Sequence, residues 1–124
     1  MAVKVADASI LAALLFGEPG GEGIVARLGD ARLVAPNLLS FELANACFAN
    51  SRRHPAQAAA LATAFALRRR LAVEESEVDH DDAVALAART GLTAYDVSYL
   101  WLARQLQAEL VTLDAKLGRV ATAS

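Results

Sequence analysis

Two short apolar runs in this chain stop abruptly on an aspartate, residues 3–6 on Asp7 and residues 110–113 on Asp114, and a helical pattern follows each at once. Four mostly apolar residues bounded in this way suit a buried strand and are too few for a helix. Between them the chain alternates the two periodicities. Residues 9–16 read as a helix ended by the Gly17, Pro19, Gly20 and Gly21 cluster, residues 22–28 as a second short helix, and residues 33–35 as a second strand stopped by Pro36. Asn37 stands where it can cap a long helix over residues 38–53, apolar around nearly its whole circumference and so expected to be buried on most sides. His54-Pro55 breaks that helix, and Pro55 suits the first turn of an alanine-rich helix that runs to Arg68, Arg69 and Arg70 and completes a hairpin. Residues 71–73 give a third strand. Asp79, with Asp82 three residues on, caps a helix to Thr90 closed by Gly91, and Thr93 opens another through residue 108. Strands alternating with helices predict an α/β fold, a three-layer α/β/α sandwich with a central, mainly parallel sheet.

Length and composition agree with that architecture. At 124 residues, 56% hydrophobic and 21% charged, the chain is expected to form one domain over residues 1–124 with a substantial core. Its longest early apolar run, residues 9–16, is far shorter than the roughly 20 residues a bilayer span needs, and no secretory pattern surrounds it. A cytoplasmic protein with no membrane association is expected. The single Cys47 excludes an internal disulfide and a multi-cysteine metal site, and His54 and His80 stand among polar residues at expected helix ends, as solvated side chains. A net charge of -2 and a pI near 5.6 give no global field attracting nucleic acid, so any such contact needs a local basic patch.

Asp7 and Asp114 belong to a set of four. Asp7, Glu42, Asp96 and Asp114 are each the one charged residue in an otherwise uncharged stretch. An ionised carboxylate in an apolar interior is strongly disfavoured unless it is paired, hydrogen-bonded or bound to a cation. Taken singly, each has an ordinary structural role open to it: Asp7 and Asp114 as helix caps, Asp96 in a capping box with Thr93, Glu42 paired with an arginine. Taken together, their placement argues otherwise. Both strand-ending aspartates belong at the carboxyl edge of a parallel sheet, where ligands bind, and Asp96 in a first helical turn and Glu42 after Pro36 fall at the same edge. They lie 35, 54 and 18 residues apart, so only the fold can gather them. Four such acids repel one another and raise at least one pKa unless a cation binds, and oxygen donors of this kind suit magnesium or manganese.

The segments Val3-Lys4-Val5-Ala6-Asp7-Ala8-Ser9, Phe41-Glu42-Leu43-Ala44-Asn45-Ala46, Thr93-Ala94-Tyr95-Asp96-Val97-Ser98-Tyr99-Leu100 and Leu110-Val111-Thr112-Leu113-Asp114 resemble the PIN-domain nucleases, and most closely the VapC-type toxins of toxin–antitoxin systems. The likeness runs in order over nearly the whole chain, and its last two segments are the specific ones. It implies a PIN-like sandwich and a Mg2+- or Mn2+-dependent endoribonuclease that cuts RNA to leave a 5′-phosphate and a 3′-hydroxyl. It also implies an acidic site of Asp7, Glu42, Asp96 and Asp114 that holds the metal, a cognate antitoxin protein, and a homodimer. Ser9, Asn45 and Thr112 match polar positions beside that site. The acidic residue that often follows the last aspartate in the family is Ala115 here, with Lys116 beyond, so the likeness does not extend to a full second metal position. Arg52 with Arg53, Arg68 to Arg70, and Lys116 with Arg119 are the cationic candidates for RNA, against the alternative of an ordinary solvated surface. Two other functions fit parts of the pattern. A PIN-like module that binds RNA or protein without cutting has no use for four clustered acids, and a phosphoacceptor receiver domain needs two adjacent acids after the first strand, where this chain has only Asp7.

Overall fold

The computed structural model describes residues 2–123. Four strands, β1 (Val3–Ala6), β2 (Arg32–Pro36), β3 (Glu74–Ser76) and β4 (Glu109–Val111), form one all-parallel sheet in the order β3-β2-β1-β4. The chain steps outward from β1 through β2 to β3, then returns to the opposite side of β1 as β4, so the winding reverses at β1. Val5 is matched with Val34 on one side and Leu110 on the other, and Val5, Ala6, Val34 and Ala35 are all buried. Such a reversal opens a crevice beyond the carboxyl ends of the two strands on either side of it.

The helices are α1 (Ala8–Leu15), α2 (Gly21–Leu28), α3 (Leu39–Arg53), α4 (Ala58–Ala66), α5 (His80–Thr90), α6 (Ala94–Leu106) and α7 (Ala115–Ala123), with 3-10 turns at Pro55–Gln57 and Arg68–Leu71. They complete a three-layer α/β/α sandwich. α6 crosses β1 and β2, α1 packs on α3, and α7 covers β4. One apolar cluster gathers Val5, Ile10, Leu11, Leu43, Tyr99 and Val111; a second gathers Leu86, Val97, Leu100 and Leu117, and Trp101 and Leu110 pack against both.

Two helix ends are built as the sequence predicts. Asp79 accepts from the Asp82 N–H at 2.9 Å to start α5, and Gly91, with φ of 74°, closes it in the left-handed region that costs glycine least. Four expectations are corrected. The third strand is Glu74–Ser76, because the 3-10 turn carries the chain to Leu71 and Ala72 turns it sharply; β3 is an edge strand with exposed glutamates and so lacks an apolar signature. β4 ends at Val111, leaving Thr112 and Leu113 between the strand and Asp114. Asn37 does not cap α3: its backbone N–H donates to the Ser76 carbonyl at 2.9 Å, and the cap position falls to Leu38. α3 is not buried on most sides, since only Leu39 and Leu43 are enclosed and Phe41 and Phe48 face outward.

Candidate active site

Asp7 follows β1 and caps α1, its Oδ1 accepting from the Ile10 N–H at 3.2 Å. Its backbone N–H donates to the Val111 carbonyl, which ties the turn to β4. Two hydroxyls complete the clamp. Ser9 Oγ donates to Asp7 Oδ1 at 2.6 Å and accepts from the Leu113 N–H at 3.0 Å; Thr112 Oγ1 donates to Asp7 Oδ2 at 2.5 Å and accepts from the Asp114 N–H at 2.9 Å. Asp114 in turn caps α7, its Oδ1 accepting from the Leu117 N–H at 2.8 Å. The ends of β1 and β4 are therefore joined through one buried carboxylate, 5% exposed.

Glu42 comes from the first turn of α3, and its Oε1 accepts from the Tyr99 hydroxyl at 2.6 Å. Tyr99 is 2% exposed and belongs to the core of α6, so the glutamate is anchored from below. Asp96 lies in the first turn of α6, with its N–H donating to the Thr93 hydroxyl at 3.1 Å. The capping roles open to Asp7 and Asp114 are thus real, but Glu42 pairs with a tyrosine and with no arginine among the described residues.

The electrostatics tie these groups to one another. Burial raises the Asp7 carboxyl above its ordinary range, the hydrogen bonds from Ser9, Thr112 and Ile10 work against that, and the charge of Asp114 adds to it. Burial likewise raises Glu42, opposed by Tyr99 and reinforced by Asp96 and Asp7. The Tyr99 hydroxyl is pushed far above its usual value by burial and by Glu42, so it remains a donor at any working pH. Mutual repulsion is present as the sequence suggested, yet removal from water is the larger cause at both carboxyls.

Among the described residues no group of three or more carboxylate, histidine or cysteine side chains is arranged to hold a metal ion as it stands. Magnesium rarely asks for such a cage: it keeps several waters and binds through one or two carboxylates together with substrate phosphates. The all-oxygen donor set and the unfavourable charge on Asp7 and Glu42 fit such an ion. Beside the acids lies a cavity of about 850 Å³ with Ser9, Phe41, Glu42, Asn45, Tyr95 and Asp96 in its walls. None of the basic clusters lines that cavity. Arg52 lies 5.6 Å from the Phe48 ring, roughly 15 Å along α3 from Glu42; Arg68 stacks 4.2 Å from Phe65; and Lys116 donates to the Gly91 carbonyl at 3.0 Å.

Ser9 and Thr112 are beside the site as their positions in the sequence suggested. Tyr99 as the partner of Glu42 was missed, because in sequence it reads as one more core aromatic; its spacing of three from Asp96, on the same side of α6, is the signal that could have found it.

This arrangement, a sheet that reverses at β1 with acids at its carboxyl edge, defines a PIN domain: the family of that description matches residues 4–123, and the chain belongs to it, within the VapC-type ribonucleases. Ribonuclease VapC3 of Pyrobaculum aerophilum is 31% identical over 91% of this chain and 90% of its own length. The crystal structure of PAE2754 from the same organism superposes with a TM-score of 0.74 at 26% identity, over 94% of this chain and 82% of that one.

Proposed function

We propose that this chain is a metal-dependent endoribonuclease, the toxin of a toxin–antitoxin pair, and that Asp7, Glu42, Asp96 and Asp114 form its active site. The observation that carries this is the coupling of the acids in a PIN domain: Asp7 is electrostatically linked to Asp114 and to Glu42, and Glu42 to Asp96, around one end of β1. A bound magnesium or manganese ion supplies activation of water at neutral pH and stabilisation of charge on the leaving oxygen. Asp7 and Asp96 serve as ligands, Asp114 as a ligand or as an acid beside one, and Glu42 as a ligand or as the base that orients water. Ser9 and Thr112 hold the Asp7 carboxylate in one orientation, and Tyr99 fixes Glu42 by one oxygen while Oε2 makes no hydrogen bond among the described residues. That oxygen is available to a water.

The name of the relative, a ribonuclease of the VapC type, supports RNA as substrate and an antitoxin as protein partner. A homodimer and a cytoplasmic setting complete the proposal, and no helix among the described residues is long and apolar enough to cross a membrane. The test is cleavage of cellular RNA by the purified chain with magnesium or manganese, against chelator, with Asp7→Asn alongside. Metal-dependent cutting that disappears in the variant is expected. A folded, antitoxin-free protein that binds metal and cuts no RNA would instead be a binding module.

A further inference from the structure

Two of the four acids are each preceded by an exposed aromatic on the same helical turn: Phe41-Glu42 at the start of α3 and Tyr95-Asp96 at the start of α6. Phe41 is 82% exposed and Tyr95 67%, and both line the cavity that contains Glu42 and Asp96. Neither ring is needed to fill the core. The cavity contains no arginine or lysine, so it offers no direct attraction to a phosphate backbone and, without a cation, repels one. Its volume of about 850 Å³ lies within the roughly 300–1,000 Å³ typical of ligand pockets. What it does offer is two aromatic faces and one amide: Asn45, one turn after Phe41, is exposed in the same wall, and its side chain makes no hydrogen bond among the described residues. Aromatic faces are how proteins hold unpaired bases, and an amide can read a base edge.

We propose that Phe41 and Tyr95 form a stacking platform for an unpaired nucleobase next to the scissile phosphate, with Asn45 at the base edge, so that this cavity selects single-stranded RNA and sets its register. Pairing an aromatic with an acid on two separate helices suits a nucleotide, which carries its flat base a short, fixed distance from its phosphate. The proposal rests on the nuclease reading of the same site.

The experiment separates the two. Binding of a short labelled single-stranded RNA with non-hydrolysable phosphonate linkages is measured by fluorescence anisotropy with magnesium, with all four acids intact. The RNA is used intact and with one abasic ribose at each position in turn. With Phe41 and Tyr95 present, one abasic position is expected to weaken binding about tenfold; Phe41→Ala or Tyr95→Ala weakens the intact RNA about tenfold, and the abasic penalty then vanishes. Phe41→Tyr and Tyr95→Phe restore it, which a general loss of structure would not allow. An abasic penalty that persists in the alanine variants, intact RNA bound equally well by all of them, or no RNA binding at all would overturn the proposal. If the alanine variants instead lose self-association or antitoxin binding while RNA affinity holds, the face is a protein interface and the proposal is wrong. Cleavage without any abasic effect removes the platform and leaves the nuclease; an abasic effect without cleavage in the unsubstituted chain does the reverse.

Discussion

The site has two unlike halves. At the ends of β1 and β4 the side chains clamp one another: Asp7 takes three hydrogen bonds, Ser9 and Thr112 each both donate and accept, and Asp114 caps the next helix through one oxygen. At the starts of α3 and α6 the links are sparser, with Tyr99 bonded to Glu42 and Thr93 capping α6 beneath exposed aromatics and an unengaged side-chain amide. The first half is preorganised by the chain itself. The second presents surface that folding does not use, which is what a region reserved for a ligand looks like. Reactivity should therefore be most sensitive to changes at the first half, and recognition separable from stability at the second.

The sharpest way to break that contrast is Asp7→Asn. Asparagine can still cap α1, so the fold should survive. Activity on RNA should fall by more than the about 10- to 100-fold that loss of an outer partner of a metal ligand costs. Thermal unfolding in chelator should also change, because Asp7 and Glu42 both titrate above their ordinary range in the folded chain. Folded protein then binds protons more tightly than unfolded protein. Stability is full below the ordinary carboxylate pKa of about 4 and is lost as pH rises through the raised values. Asp7→Asn removes one of the two contributors, so the melting temperature should fall less steeply with pH than in the parent. An equal slope in both would mean that Asp7 is not carrying an unfavourable charge.

Thr112→Val comes next. It keeps the shape and deletes both the donor to Asp7 Oδ2 and the acceptor of the Asp114 N–H. A loss of about 1–3 kcal/mol in stability is expected, from a carboxylate oxygen left without its partner. Metal affinity by calorimetry should drop about 10- to 100-fold. Tyr99→Phe acts on the other half. With its hydrogen bond gone, the Glu42 carboxyl rises further, so the acidic limb of the pH–activity profile should move to higher pH, with a loss of about tenfold at the optimum. A profile that does not move would deny Glu42 a titrating role.

The same division governs how much could be read from the sequence. The end of β1 at Asp7 is legible, and that of β4 before Asp114 is legible to within two residues, because an isolated acid after an apolar run is rare enough to stand out; Thr93 and Asp79 are legible because caps act locally. β3 was misplaced because an edge strand that exposes Glu74 and Glu75 carries no apolar period. In sequence α3 reads as a buried helix because Phe41 and Phe48 count as hydrophobic in any periodicity, whether the ring packs inward or faces solvent. Tyr99 and Glu42 are 57 residues apart, and their bond exists only because α6 crosses the sheet where α3 begins. Local rules recover what is satisfied locally; a residue whose partner is distant, or absent from the chain, reads as something else.

That last point gives the smallest expected effect and the cleanest discrimination. If Phe41 and Tyr95 belonged to the core, Phe41→Gln and Tyr95→Gln would cost several kcal/mol, as buried aromatics do. Exposed as they are, each should change unfolding free energy by no more than about 0.5 kcal/mol, the range for surface substitutions, because glutamine favours helix and no packed neighbour is lost. Urea denaturation of the two variants beside Thr112→Val measures both halves on one scale. A large loss in either glutamine variant would show that the aromatic wall supports the fold, and the distinction between a clamped half and a reserved half would collapse.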